Sequence, residues 1–149
     1  MITANTAKAF PGVSILKFYS LTAIGLLALM SNSYAAQWTC PPVENLQKNA
    51  GDGSSYSAMA VGGNWEGEGS TAEASLVEKL KFERAAIKTG KDSETKETIY
   101  YVSCDYGGTD MNDYLRMSRR FTALPKAVGT HWQENLCSAS SVEDCGFEP

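Results

Sequence analysis

His131 is the only histidine of the 149-residue chain, so it is the natural candidate for a general base. Trp132 and Glu134 lie close to it, and Ser138 and Ser140 follow, so a serine–histidine–acid set can be drawn from the spacing alone. A serine nucleophile of this kind is commonly framed as G-x-S-x-G, and the chain has no such motif. We therefore interpret His131 as a surface-loop residue and predict no catalytic residue.

Oxygen-bearing side chains surround the glycine pair at 107–108 and offer ligands for a cation. Their spacing differs from the D-x-[DN]-x-[DN]-G pattern of calcium-binding loops, so an ordinary polar turn is expected. No glycine-rich phosphate loop occurs either. We predict no metal and no cofactor. The residues concerned are Asp105, Asp110, Asn112 and Asp113.

The four cysteines are Cys40, Cys104, Cys137 and Cys145. An even number is typical of two disulfides in a chain that leaves the cytosol, and three pairings are possible. Seven residues separate Cys137 from Cys145, which suits a local clip and leaves Cys40 to pair with Cys104. The chain has no C-x-x-C motif and one histidine, so structural disulfides are favoured over a zinc or redox site.

Aromatic and basic side chains alternate along residues 113–121 and offer a binding surface instead. Leu115, Met117 and Phe121 are expected to face the core of a strand, and the residues between them face solvent. Tyrosine and arginine dominate the energetic hot spots of protein interfaces. The predicted binding residues are Tyr101, Tyr114, Arg116 and Arg120, and on a loop, Trp132.

A solvated face is the alternative interpretation of this surface. In that case the arginines pair with acidic residues on neighbouring strands, such as Glu97 or Asp105. Ser118 lies on the same predicted face as the arginines, and Lys126, His131 and Trp132 form a second candidate surface on a loop.

The central element that positions these residues is Ile99–Gly108, the most β-prone run of the chain. Tyr100, Val102, Cys104 and Tyr106 share one face at period two, so the strand carries its disulfide cysteine towards the core. We expect residues 113–121 to pair with it in an antiparallel sheet.

The first 35 residues have the pattern of a secretory signal peptide. They contain Lys8, Lys17 and no acidic residue, then a thirteen-residue apolar run at 18–30 and the small residues Ser33 and Ala35 around a cleavage site. A membrane span needs about 20 apolar residues, so stable insertion after cleavage is not expected. The chain is predicted to reach the periplasm or the medium.

Residues 36–149 are short enough for one domain and contain all four cysteines. All 17 acidic residues but only 11 of the 13 basic ones lie here, which gives a net charge near −6. An acidic surface argues against nucleic acid and anionic lipid as partners.

Three further segments complete the predicted domain. Val43–Lys48 follows two prolines and predicts a short N-terminal helix. Residues 56–68 predict an extended segment in which Met59, Val61 and Trp65 share one face and Trp65 belongs to the core, with a bulge or bend at the glycine pair 62–63. Residues 72–88 fit either a helix or a strand with a bulge near Glu83.

Six short motifs are spaced along residues 38–147: Cys40-Pro41, Trp65-Glu66-Gly67, Phe82-Glu83-Arg84-Ala85, Cys104-Asp105-Tyr106, Trp132 and Cys137-x7-Cys145-Gly146-Phe147. In this order they resemble small exported proteins of Gram-negative bacteria that are classed as a domain of unknown function. The resemblance implies a periplasmic protein and a strand, rather than a helix, at 79–88; it implies no activity.

Together these patterns predict an α+β, mainly β, domain with a four- to five-stranded antiparallel meander, one short N-terminal helix and two disulfides. The expected function is a binding module that recognises another protein. The alternatives are an inhibitor or immunity-like protein acting against a cell-wall enzyme or toxin, and a small exported hydrolase that uses carboxylates.

Overall fold

A computed structural model describes residues 37–51, 53–70 and 74–149. The predicted signal peptide at 1–35 lies outside the described residues, so export and cleavage stay predictions. None of the helices in the described parts has the length and apolar content needed to span a bilayer. The elements are β1 Leu46–Lys48, β2 Ser55–Ala60, β3 Gly63–Gly69, α1 Ala74–Val77, β4 Lys81–Lys91, β5 Thr98–Gly107, β6 Tyr114–Phe121, β7 Lys126–Ala127, β8 Trp132–Gln133, β9 Leu136–Ser138 and β10 Phe147–Glu148, with 3-10 turns at Val43–Asn45 and Val142–Cys145.

Eight of these strands form one antiparallel sheet in the order β1-β2-β3-β6-β5-β4-β9-β8, and β7 pairs with β10. The fold is mainly β with little helix, as expected, but the prediction of four to five strands was wrong. Two of the additional strands, β1 and β9, have three residues each, too few to show alternation, and a third arises because the single extended segment predicted at 56–68 is two strands, β2 and β3. The order is also not one simple meander, because β3 pairs with β6 and so joins two three-stranded meanders side by side.

The predicted N-terminal helix at Val43–Lys48 is not present. A 3-10 turn occupies Val43–Asn45, and the next three residues form β1, which pairs with β2. The side chain of Asn49 favours this arrangement, because its Nδ2 donates to Ser55 Oγ at 2.7 Å and its Oδ1 accepts from Ser57 Oγ at 2.8 Å. Asn49 thereby fastens the turn that brings β1 against β2, which a helix would have prevented.

The segment 56–68 is a hairpin rather than one extended strand. Gly62 has a φ of +89° and turns the chain between β2 and β3. The turn reverses the phase of the pattern, so Met59 and Val61 are 62% and 51% exposed, contrary to expectation. Trp65 is fully buried, as predicted.

Within the ambiguous segment 72–88, residues 81–88 belong to the long strand β4, whose ladder with β5 shifts between Phe82 and Arg84, and Ala74–Val77 forms the one-turn helix α1. The strand and the bulge are therefore confirmed from Lys81 onwards, and the helix is confined to the start of the segment. Phe82 is an even position, whereas Ala85 and Ile87 are odd ones. The extra residue of the bulge lets all three lie on the same buried side of the sheet.

The buried side of the sheet, which we name the inner face, carries the core. Val102, Cys104 and Tyr106 of β5 project into it, as predicted. The disulfides join Cys40 to Cys104 and Cys137 to Cys145, which confirms the predicted pairing. The Tyr106 hydroxyl donates to the Pro41 carbonyl at 2.6 Å, so the N-terminal segment is tied to β5 by a covalent and a hydrogen bond.

Candidate functional site

The side of the sheet opposite the core, which we name the outer face, brings four predicted binding residues together. Arg116 of β6 stands directly opposite Asp105 of β5, and Arg120 stands opposite Tyr101. Tyr114 is two residues from Arg116 on the same strand, so it points to the same side. The pairing of strands that are remote in sequence therefore assembles one surface from these side chains.

Asp105 lies between two arginines at the centre of the outer face. Arg116 Nε and Nη2 donate to its two oxygens at 2.6 and 3.0 Å, and Arg84 Nε donates at 2.8 Å. The Asp105 side chain is 16% exposed, whereas each arginine side chain is 51% exposed. We name Arg84, Asp105 and Arg116 the ion triad. It fixes the inner part of each arginine and leaves the outer part at the surface.

The environment of Asp105 stabilises its charged form. Burial alone would raise its pKa, but the hydrogen bonds and charges of Arg116 and Arg84 outweigh burial and hold the pKa below its usual value of 3.8. The same contact raises the pKa of Arg116. Both shifts favour the charged forms of Asp105 and Arg116.

Replacing Asp105 by asparagine is expected to lower the free energy of unfolding at pH 7 by about 1–2 kcal/mol, because two arginines lose a shared partner. A depressed pKa contributes stability above pH 3.8, and that contribution is lost as the pH falls through the lower folded value. Urea unfolding should therefore show the difference between wild type and Asp105→Asn shrinking below about pH 4. The exposed Asp110→Asn variant is the control, and an unchanged difference down to pH 2 would contradict the assignment.

Arg120 is also paired within the chain. Its Nη1 donates to Asp92 Oδ2 at 2.9 Å, and Asp92 Oδ1 accepts the backbone N–H groups of Glu94 and Thr95 at 3.0 Å each. These backbone hydrogen bonds, followed by Arg120, lower the pKa of Asp92 to about 2. The contact anchors the 92–97 turn to β6. The acidic partner on the β4–β5 turn is thus Asp92, not the Glu97 considered from sequence.

The tyrosines of the outer face differ in exposure. Tyr114 is 56% exposed, and Tyr101 is half-buried. Ser103, which stands between Ser118 and Ala86 across the strands, faces outwards and is still only 2% exposed. The centre of the outer face is thus a row of three small residues, Ala86, Ser103 and Ser118, of which Ser103 is almost inaccessible to solvent.

Trp132 lies elsewhere. It pairs with Cys137, which pairs with Ala85, so it belongs to the inner face, where its ring packs against the core. Its indole Nε1 donates to the Gly146 carbonyl at 2.8 Å. The structure therefore does not bring Trp132 to the other four binding residues. His131 is exposed beside it.

A polar groove of about 780 Å³ lies next to the ion triad and was not found from the sequence. It runs between β2 and β6, with β3 along its floor, and combines hydroxyl, amide and carboxylate groups with an arginine. Its side chains come from positions up to 69 residues apart, so no local sequence pattern could predict the groove. The lining residues are Asn49, Ser55, Tyr56, Ser57, Glu66, Gly67, Glu68, Tyr114, Arg116 and Ser118.

Gly67 sets the spacing of the groove floor. A Cβ at this position would lie 2.6 Å from the Arg116 carbonyl oxygen, so a side chain would push β3 away from β6. The third residue of the Trp-Glu-Gly motif is thus a glycine because β3 and β6, which carry Glu66 and Arg116, approach each other too closely for a side chain at this position.

The family of proteins of unknown function DUF3757 matches residues 33–148, most of the chain and all four cysteines. The chain belongs to this family. The resemblance seen in its motifs is confirmed, and DUF3757 membership carries with it no established activity. The match includes every residue of the outer face.

No curated protein and no solved structure matches the chain. Within residues 37–51, 53–70 and 74–149, three or more metal-binding side chains do not come together.

Proposed function

We propose that this DUF3757 protein is an exported binding module that recognises another protein through its outer face. The observation that carries the proposal is the arrangement of Arg116 beside Tyr114. Asp105 holds the Arg116 guanidinium through two hydrogen bonds, and the neighbouring Tyr114 ring is more than half exposed. Both residue types are enriched among interface hot spots.

Preorganisation is the physical basis of this proposal. A free arginine loses much side-chain freedom when it binds, whereas Arg116 is already ordered by the ion triad. Tyr114 offers a large contact area with few rotatable bonds. A partner that covers both residues therefore gains contacts at a small entropic cost. The same argument does not extend to Trp132, whose ring already serves the core.

The two disulfides support an extracytoplasmic location. Such bonds form and persist in oxidising compartments and are rare in the cytosol. We propose the periplasm or the medium as the site of action, in line with the signal peptide predicted at residues 1–35.

The proposal is tested by affinity capture with the full-length protein carrying a C-terminal tag. We expect one envelope protein to be recovered in stoichiometric amount, and its recovery to fall at least about tenfold in the double variant Tyr114→Ser, Arg116→Ala. Asp105 keeps Arg84 as a partner in this variant, so the fold should persist. Circular dichroism and the midpoint of urea unfolding establish that it does.

A matched control uses two exposed residues beyond the other end of β6, Leu124→Ser with Lys126→Ala. Recovery of the partner should be unchanged in this control. Equal recovery by wild type and by the Tyr114/Arg116 variant would overturn the proposal, as would equal losses in both double variants.

A further inference from the structure

We infer that the groove beside the ion triad binds a basic, extended segment of the partner protein. This inference rests on the proposed function, and it adds the charge and conformation of what is recognised. The occupant has lysine or arginine at alternate positions. Three features of the groove carry it: unpaired carboxylates, a diverted arginine and a strand-like spacing.

Two carboxylates face the groove without a cationic partner among the residues that the structure describes. Glu66 and Glu68 are exposed, alternate along β3 and point to the outer face, as their pairing with Ser118 and Arg116 shows. The ion pairs found in the described part of the chain use Asp92 and Asp105, and neither glutamate takes part in them. Both carboxylates are therefore available to a cation from outside.

The natural cross-strand partner of Glu68 is turned away from it. Arg116 stands directly opposite Glu68, yet its Nε and Nη2 both bind Asp105 on the far side. Opposite charges at such positions normally attract. Because the Arg116 guanidinium is bound to Asp105, the carboxylates on the β3 floor of the groove keep their negative charge.

The negative charge continues past the groove. A second hollow of about 360 Å³ shares Ser57 and Glu66 with it and adds Glu44. The chain as a whole has a sequence pI near 5.0. A locally and globally negative surface attracts basic segments and repels acidic ones.

The spacing of the two glutamates suits an extended peptide. Alternate residues of a strand lie about 6.7 Å apart, so Glu66 and Glu68 have the repeat of alternate side chains in any extended chain. The β2 wall, next to the glutamates on the floor, consists of the Asn49, Ser55 and Ser57 side chains, which are neutral hydrogen-bonding groups. Such groups can accept and donate to a peptide backbone while the glutamates bind its cations.

Fluorescence anisotropy with labelled peptides tests the inference. The probes are a peptide with lysine at alternate positions, its glutamate counterpart and its serine counterpart. We expect the purified protein to bind the lysine peptide, and the double variant Glu66→Gln, Glu68→Gln to bind it at least about tenfold more weakly. Binding should also weaken as the salt concentration is raised from about 50 to 300 mM, because salt screens the attraction between the peptide lysines and the exposed glutamates.

The control has the same change in charge at a distant site, Glu94→Gln with Glu97→Gln on the β4–β5 turn, and should bind like wild type. Failure of the lysine peptide to bind at low salt would overturn the inference, and so would equal binding by the two double variants.

The captured partner distinguishes the basic-segment inference from the proposed function. If it needs Tyr114 and Arg116 but tolerates Glu66→Gln, Glu68→Gln, the proposed function stands and the basic segment is excluded. If it tolerates both, both proposals fail.

Discussion

Replacing Cys40 and Cys104 together by alanine is expected to lower the free energy of unfolding by about 4 kcal/mol. The bond closes a loop between positions 64 residues apart, and such a cross-link removes much of the freedom of the unfolded chain. It also fixes the N-terminal segment to β5, where the Tyr106–Pro41 hydrogen bond depends on the same approach. Urea unfolding of the variant and the wild type, both in oxidising buffer, measures the loss.

The second disulfide provides the matched control. Cys137 and Cys145 are 8 positions apart, and all four cysteines are fully buried, so the two double alanine variants differ mainly in loop length. The same chain-entropy relation gives about 2.5 kcal/mol for the short loop. A loss for Cys137→Ala, Cys145→Ala that equals or exceeds the loss for the first pair would contradict this account of the fold.

Phe147→Ala is expected to lower the free energy of unfolding by about 3–5 kcal/mol, the usual loss when a large, fully buried ring is replaced by alanine. The Phe147 ring is completely buried and meets the rings of Trp65 and Phe121 at centroid distances of 6.4 and 5.7 Å. Its backbone also exchanges two hydrogen bonds with Trp38, at 2.8 and 2.9 Å. The residue thus joins both ends of the described chain to the sheet.

Thermal and urea unfolding measure this effect, and Phe147→Leu is the conservative control. Leucine keeps most of the apolar volume, so a loss of about 1–1.5 kcal/mol is expected. A loss below about 1 kcal/mol for Phe147→Ala would show that the ring does not hold the C-terminal segment in the core.

The parts of the fold that could be predicted are those with several residues of clear alternation. β5 and β6 appear at almost their predicted bounds, since Leu115 and Met117 alternate with polar residues over eight positions. The disulfide pairing followed from the short spacing of Cys137 and Cys145. The bulge in β4 was visible as a change of phase between Phe82 and Ala85.

The parts that were missed depend on contacts that local sequence does not encode. Leu46–Lys48 has no strand pattern of its own and becomes β1 because Asn49 and the hairpin partner β2 bring it there. Met59 was expected on the same face as Trp65, but the turn at Gly62 reverses the phase of the pattern and leaves Met59 exposed. The groove needs Asn49, Glu68 and Arg116 together, which requires the contact of Asn49 with β2 and the pairing of β3 with both β2 and β6.

The outer face combines both situations. Its strand β6 was predicted with the correct side chains outwards, and the cross-strand neighbours of those side chains came from the fold. The alternative in which the arginines pair with acidic neighbours is correct for Arg116, which binds Asp105, whereas Arg120 is paired with Asp92 on the β4–β5 turn instead of the expected residues. We regard this pairing as compatible with binding, because it orders Arg116 while 51% of its side chain stays exposed.

Site-specific photo-crosslinking in growing cells tests the central claim most directly. A photo-reactive phenylalanine analogue replaces Tyr114 in one strain and the exposed Leu124 in another. We predict a single discrete protein adduct from position 114, none from position 124, and loss of the adduct when Arg116→Ala is added. No adduct from position 114, or the same adduct from both positions, would contradict recognition through the outer face.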